Sequence, residues 1–501
     1  MEVKLSAAAV DCCRLVYSQT VRKEESMDSV VPDTLPDIGE VLCTTGDVLI
    51  RSKDVAAGRL RIEANVPARV CCVPEEGGAP FLLDVNVPLA LTAEDAAIPE
   101  GGLCTAELRL AALDTRVLNP RKVSVRAEVE FSVACYECAK RSVCAAPEAA
   151  EAGIQTRERE LSFSAVASVT EKTFVLTDEL EAPEGVAAQR IVGQKTRMET
   201  EEVRTVGSKL VVKGRAESRL LVLDERGGIA AAEFSTPFSQ IIEAERLPDE
   251  ALVTVAIQPS GTYYELTAAG RIEMELHLVA QATVRGTETL RCLTDAYSNA
   301  FAVESERSAE TFSLIRRETV LHGALRAPFP TAEMPAEIVT VCASACAPAV
   351  SGGSVTLPLS VLLVWRTAAG SVCAARRSFS LETSAELGEG ERLEIVSAEL
   401  TEVSAAPSDG GAEVRVAAAL HALLRTEETV QCITALRYDE TAPLETAARP
   451  TLVLLRADST ADLWAIARDN CSTVAAIREA NRLDEAPEGW SRLLLIPKTL
   501  S

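Results

Sequence analysis

The side chains able to do chemistry are few and scattered. The chain has three histidines, and only His277 has titratable company in a strand-like stretch. There Glu273, Glu275 and His277 alternate with apolar residues, so the three share one face of a strand. A Glu-x-Glu-x-His face could hold a metal or do acid–base work. A solvated strand face is the commoner outcome of such a charge pattern. His322 and His421 have no recognisable nucleophile motif nearby. The sequence contains no G-x-S-x-G, no Walker A, no H-E-x-x-H and no G-x-G-x-x-G after a strand. Among fifteen cysteines, Cys135-x2-Cys138 with Cys144 nearby is the one metal-like grouping, and Cys342-x3-Cys346 is a second short pair. Neither has a histidine or a second C-x-x-C at zinc-site spacing. The expectation is a protein without catalytic residues, metal or cofactor. Its cysteines are expected to be small buried hydrophobes in a reducing compartment rather than a disulfide framework.

The remaining candidates lie at the C-terminal end, where Leu452 to Lys498 reads LVLLRADSTADLWAIARDNCSTVAAIREANRLDEAPEGWSRLLLIPK. Trp464, Ile466 and Ala467 fall at helical spacing, and Val474, Ile477 and Ala480 repeat it. Ser472 and Thr473 stand where the second helix needs its cap. Leu493 to Ile496 is an apolar strand that Pro497 stops. This stretch resembles the LysM module, a small βααβ fold known for binding N-acetylglucosamine polymers. The likeness rests on Leu463-Trp464 with Ile466-Ala467, on Asn481 after the second helix, and on Leu494-Leu495-Ile496-Pro497. It implies a binding surface between two loops, one with Asp458, Ser459, Thr460 and Asp462 and one with Asn481, Leu483 and Asp484. It also implies a core of Leu463, Trp464, Ile466, Ile477 and Ile496. The family's Gly-Asp-Thr ahead of the Leu-Trp pair is replaced here by Ser459-Thr460-Ala461-Asp462. Without a glycine the backbone is less free to approach a saccharide.

The elements ahead of this stretch repeat. Residues 60–78 match 210–228 without a gap: Arg69 meets Arg219, the apolar run 70–73 meets 220–223, and Gly-Gly meets Gly-Gly. Beyond the turn the alternating strand Val123, Val125, Ala127, Val129 meets Ile272, Met274, Leu276, Leu278. A third copy aligns Leu362–Trp365 with Leu220–Leu223 and Val414, Val416, Ala418, Leu420 with 272–278. Alternation marks strands with one buried face, and Gly-Gly and Pro-rich stretches mark turns. Each copy, about 110–140 residues, can hold its own core. The expected fold is mainly β: tandem sandwich- or barrel-like repeats at 1–145, 154–298 and 308–438, strung like separate beads, then a small α+β module at 449–501. Boundaries are expected at 145–153, 299–310 and 439–449.

Composition narrows the partners. Apolar content of 47% and charged content of 25% are those of a globular chain. A net charge of −24 argues against nucleic acid and anionic lipid. No apolar run reaches the roughly 20 residues of a membrane span, and the N-terminus lacks a sustained apolar segment of the secretory type. Leu35-Pro-Asp-Ile38, the run from Ser208 through Gly214 to Leu223, and Pro237-Phe238 resemble the SPOCS domain of spore-coat-associated proteins. Tandem SPOCS repeats with one C-terminal LysM module are the layout of a family of spore-coat morphogenesis proteins. That resemblance implies a non-enzymatic scaffold in the mother-cell cytosol at the forespore surface. Its implied partner is an ATPase-type coat morphogenetic protein bound through the LysM module. The alternative is a protein that binds peptidoglycan through that module.

Overall fold

The computed structural model describes the chain except residues 149–152, 182–187, 226, 269, 446–449, 486–488 and 500–501. Parts of the boundaries expected at 145–153 and 439–449 lie outside the described residues. The fold is mainly β, with 78% of residues in strands.

The first repeat contains β1 (Leu5–Val30), β2 (Ile38–Thr45), β3 (Leu49–Ala56), β4 (Arg59–Pro74), β5 (Phe81–Glu94), β6 (Leu103–Asn119) and β7 (Lys122–Pro147). The second contains β8 (Ile154–Glu181), β9 (Ala188–Val206), β10 (Lys209–Asp224), β11 (Ile229–Glu243), β12 (Leu252–Leu266) and β13 (Arg271–Ser298). The third contains β14 (Phe301–Pro330), β15 (Pro335–Ala345), β16 (Ala349–Ser351), β17 (Ser354–Thr367), β18 (Val372–Ser384), β19 (Glu391–Ser408) and β20 (Gly411–Pro443). Thus β14 begins at Phe301, inside the stretch expected to be a boundary, and β20 runs on to Pro443.

One topology recurs three times. The long first strand pairs with the last strand, which pairs with the penultimate one: β1-β7-β6, β8-β13-β12 and β14-β20-β19. The intervening strands form a second sheet around β4, β10 or β17. Each of these sheets turns through a two-residue loop, at 57–58, 207–208 or 352–353. Gly58, Gly207 and Gly352 hold positive φ there, which only glycine adopts without strain. Period-two burial is cleanest in β5, where Phe81, Leu83, Val85, Val87, Leu89 and Leu91 point inward and, from Asp84 on, the residues between them face out.

The repeats are not separate beads, which corrects the sequence expectation. A bridge from Cys13 to Val166 joins the first two into one six-stranded sheet ordered β12-β13-β8-β1-β7-β6. The edge strands of that sheet, β6 and β12, come together through side chains. Gln258 accepts from the Leu108 N–H at 2.7 Å and Gln281 from the Ala106 N–H at 2.8 Å, while both amides donate to the Ala106 carbonyl. Buried backbone groups at an open edge need partners, and these glutamines supply them.

Two cores are shared by all three repeats. One gathers Leu42, Cys43, Cys71, Val192, Leu221, Leu223, Ile229, Leu362 and Val364. Around it each repeat donates an arginine to a carbonyl of the next. Arg69 bonds Ile191 O at 3.4 Å, Arg219 bonds Val341 O, and Arg376 bonds Thr44 O at 3.3 Å, closing a ring. The other core gathers Val143 from the first repeat, Phe163, Leu290 and Cys292 from the second, and Phe312, Val430 and Cys432 from the third. Arg141 caps it, 4.3 Å above the Phe312 ring.

Ring closure explains the apolar runs. Strands buried on one face alternate, whereas strands buried on both are continuously apolar. In β17, Leu363 and Trp365 face the core of their own repeat while Leu362 and Val364 face the shared one. It also corrects the alignment of the third copy. Leu220 and Val222 face their own core, as do Leu363 and Trp365. Hairpin partners Leu223↔Ile229 and Arg366↔Val372 set Leu220 against Leu363, not Leu362. A slip of one residue exchanges the faces of a strand.

The first strand of each repeat carries a bulge at the same place, skipping Val16, Ala167 or Arg316 in the ladder. A bulge bends a strand and adds twist. Here it lies between the part serving the repeat's own core and the part reaching the shared one. Strands of 26–33 residues, far beyond the usual 3–10, exist because they serve two cores in succession.

The C-terminal region contains β21 (Leu452–Asp458), α1 (Leu463–Asp469), α2 (Val474–Asn481), a 3-10 turn at Leu483–Glu485 and β22 (Ser491–Pro497), with β21 and β22 antiparallel. Among the described residues no helix is long and apolar enough to cross a membrane.

Candidate functional site

The C-terminal module has two distinct sides, and its residues divide between them. α1 starts at Leu463 because Asp462 caps it, its Oδ1 accepting the Trp464 N–H at 3.1 Å. α2 is capped by Thr473, whose Oγ1 accepts the Ala476 N–H at 3.1 Å. Ser472, the other expected cap, is fully buried and donates to Pro497 O at 2.6 Å. Ile477 and Ile496 are buried, and Leu463, Trp464 and Ile466 pack half-buried around them.

The helical side is docked on the second repeat. Tyr297 of β13 belongs to the module's core and meets the Trp464 ring edge-on at 4.8 Å. Its hydroxyl donates to Ser472 O at 2.9 Å, and burial pushes its pKa up to about 12. Asn299 donates to Ser472 O at 3.1 Å and to Thr499 Oγ1 at 2.8 Å. The Trp464 indole N–H donates to Asp295 Oδ2 at 2.8 Å, and Arg307 donates to Asp295 Oδ1 at 2.8 Å. Burial works to raise the Asp295 pKa, but these bonds outweigh it and hold the carboxyl below its ordinary range. None of these partners was named from sequence. Tyr297 and Asp295 sit at the tail of a strand and carry no motif.

The expected loop residues meet different fates. Asp458, Ser459 and Thr460 are exposed; Asp458 Oδ1 accepts the N–H and hydroxyl of Thr460 at 2.9 and 2.6 Å, and those bonds lower its pKa. Asp462, besides its capping role, pairs with Arg157 of β8 at 3.3 Å. Asp484 is exposed and pairs with Arg478 at 3.0 Å. Asn481 and Leu483 hold the module together. The Asn481 amide donates to Ile477 O at 2.8 Å and Leu495 O at 2.6 Å, its carbonyl accepts the Leu495 N–H at 2.7 Å, and Leu483 is buried.

The opposite side is apolar and open. Ladder pairs Leu452↔Pro497, Leu454↔Leu495 and Arg456↔Leu493 place these side chains on the outer face of β21 and β22. Leu452, Leu454 and Leu493 are 48%, 61% and 61% exposed. Three leucines on one small sheet form a patch with the character of a protein contact surface.

Elsewhere, His277 Nε2 lies 2.6 Å from Glu275 Oε1 on an exposed face. Among the described residues no group of three His, Cys, Asp or Glu side chains is placed to hold a metal ion. The Cys135, Cys138 and Cys144 grouping does not converge. Cys135 stands opposite Cys104 on the β6–β7 ladder, Cys144 donates to Thr434 O at 3.7 Å, and Cys138 is disulfide-bonded to Cys13. That is one bridge, not the disulfide framework that the sequence argues against. A cleft of about 830 Å³ opens where the repeats meet, lined by Gln281 and Arg285 with Glu318, Glu394, Glu399 and His421. Burial raises the Glu399 pKa. The chain matches no protein-family model, no curated protein and no solved structure.

Proposed function

We propose that this chain is a non-enzymatic assembly scaffold, in which three SPOCS-type, sandwich-like β repeats form a rigid ring and a LysM-type module presents a docking face. The carrying observation is the open leucine face of β21 and β22, on a module whose helical side is already fastened to the second repeat. Glycan sites combine aromatic platforms with convergent polar groups. Here Trp464 is engaged by Tyr297 and Asp295, Trp490 packs half-buried on the module's core with Arg492 over its ring, and the open face is aliphatic. Hydrophobic anchors with a flanking charge, here Arg456, suit a protein partner. The resemblance in sequence extends the reading to spore-coat assembly on the mother-cell side of the forespore, with an ATPase-type coat protein as the partner.

The test is a fluorescent fusion imaged in sporulating cells of the source organism, beside a Leu454→Asp/Leu493→Asp variant checked for an unchanged melting temperature. A forespore shell formed by the wild type and lost in the variant supports the proposal. A diffuse wild-type signal, or salt-resistant binding of the purified chain to sacculi, gives the module to glycan instead.

A further inference from the structure

The cysteines of this chain meet in pairs that the sequence does not announce. Cys104 stands directly opposite Cys135, and Cys43 directly opposite Cys71, on antiparallel ladders. Both pairs lie within the first repeat. A third pair is different in kind. Cys292, on β13, and Cys432, on β20, come from different repeats and lie together in the second shared core, 0% and 2% exposed.

Register shows why they meet. Cys292 lies opposite Arg159 on the first strand of its repeat, and Cys432 opposite Ser308 on the first strand of its own. Two residues earlier stand Leu290 and Val430, and two before those Glu288 opposite Phe163 and Glu428 opposite Phe312. The positions are therefore equivalent in the two repeats. The first repeat has Val143, opposite Ala8, at the corresponding place, and Val143 belongs to the same core. Equivalent positions of three repeats arranged in a ring converge near its axis. Two of the three are thiols buried together in this core, near enough for Cys292 to act on the titration of Cys432, and the third is valine.

We propose that Cys292 and Cys432 form a site of reversible oxidation, a disulfide that locks the second repeat to the third. The oxidant is a low-molecular-weight disulfide of the glutathione class. One protein thiol, as thiolate, attacks the oxidant, forming a mixed disulfide and releasing one small thiolate. The second protein thiol attacks the protein sulfur of that mixed disulfide and releases the other. Two protein S–H bonds are lost, one S–S bond forms, and the oxidant leaves as two small thiols. Burial raises the Cys432 pKa and keeps the thiolate scarce, so the reaction proceeds through transient opening of the core and is slow. The resulting cross-link spans residues 292 to 432 and fastens the ring between repeats, which the Cys13–Cys138 bond within the first repeat does not do.

Cys12 is not the carrier of oxidising equivalents from the Cys13–Cys138 bond. Adjacent residues of a strand point to opposite faces, and Cys12 packs on the shared core while Cys13 belongs to another cluster.

The test begins with the fully reduced, full-length protein. It is incubated with oxidised glutathione over a range of concentrations and times, quenched with an alkylating agent, digested without reduction and read by mass spectrometry. Formation of the Cys13–Cys138 bond serves as the internal standard. The expected result is a Cys292–Cys432 peptide that appears later than the standard and vanishes on reduction. In parallel, the melting temperature of the oxidised chain rises by on the order of 5 °C over the same chain carrying only the Cys13–Cys138 bond. Cys292→Val, which installs the residue of the first repeat, keeps the core filled, gives no cross-link and shows no rise. Recovery of Cys292 and Cys432 as alkylated thiols after complete closure of Cys13–Cys138 and prolonged incubation overturns the proposal. So does linkage of either residue mainly to Cys12, Cys144 or glutathione.

Discussion

Replacing Gln258 by leucine tests whether side chains really close the six-stranded sheet. Its amide oxygen is the acceptor for the Leu108 N–H at 2.7 Å, and its amide nitrogen donates to Ala106 O at 2.6 Å. Gln258 is 7% exposed, so no bulk water replaces it. Leucine has a similar volume and leaves little cavity, so the transfer and packing contributions nearly cancel. What remains is one orphaned buried donor at Leu108, costing about 1–3 kcal/mol. The Ala106 carbonyl still accepts from Gln281 at 2.7 Å and contributes little to the loss. The expectation is about 2 kcal/mol, which is roughly a 30-fold change in an opening equilibrium. Native-state hydrogen exchange read amide by amide along β6 is the assay. The Leu108 amide should exchange about 30-fold faster. Glu107 and Arg109, whose N–H groups point to the other side of the strand, should change far less. Adding Gln281→Leu orphans the Ala106 N–H as well and should roughly double the loss. Unchanged Leu108 exchange in the Gln258→Leu protein would refute the idea that these glutamines close the sheet.

Four further outcomes are expected. Asn481→Ala removes two hydrogen bonds between α2 and β22 and one within α2 and should destabilise the C-terminal module by about 2–3 kcal/mol. Ser459→Ala in the exposed loop should stay within about 0.5 kcal/mol, both read by hydrogen exchange of α1 and α2. Glu399 has its pKa raised by burial, with Glu199 adding to the effect and His421 and Arg197 opposing it. An acid whose folded pKa exceeds its unfolded one destabilises the fold as pH rises through that interval. Glu399→Gln should therefore raise the melting temperature at neutral pH and leave it unchanged below about pH 4, a dependence that thermal scans across pH read directly. Asp295→Ala breaks the Trp464 and Arg468 contacts to the module and should shift the Trp464 indole resonance; one unmoved relative to wild type would show that the module is not held there.

Much of the local structure was legible in the chain. Alternation from Val123 to Val129 and from Ile272 to Leu278 fixed strands and their buried faces, since a strand presents every second side chain to one side. Helical spacing located both helices and Thr473 stood where α2 is capped, whereas Asp462, which caps α1, read only as a loop residue. The repeat itself was visible because equivalent cores demand equivalent residues. Even the shared core left a trace, in the unbroken apolar runs 70–73, 220–223 and 362–365. Its meaning, burial on both faces by the neighbouring repeats, needed the neighbours to be in place.

Only the tertiary structure decided the rest. Nothing local tells Arg69, Arg219 and Arg376 that each will meet a carbonyl of the next repeat. The third arginine even moves to the adjacent strand, opposite Leu362. The meetings of Cys104 with Cys135 and of Cys13 with Cys138 depend on ladder register over separations that spacing rules do not reach, and that of Cys292 with Cys432 depends on the packing of two repeats. Asn481 read as a loop residue, yet its amide faces inward because β22 returns beside α2. The sequence alone determines which side chains must leave water. Which of them then meet is decided by ring closure, because contacts between repeats depend on how whole sheets pack and not on any residue's own preference.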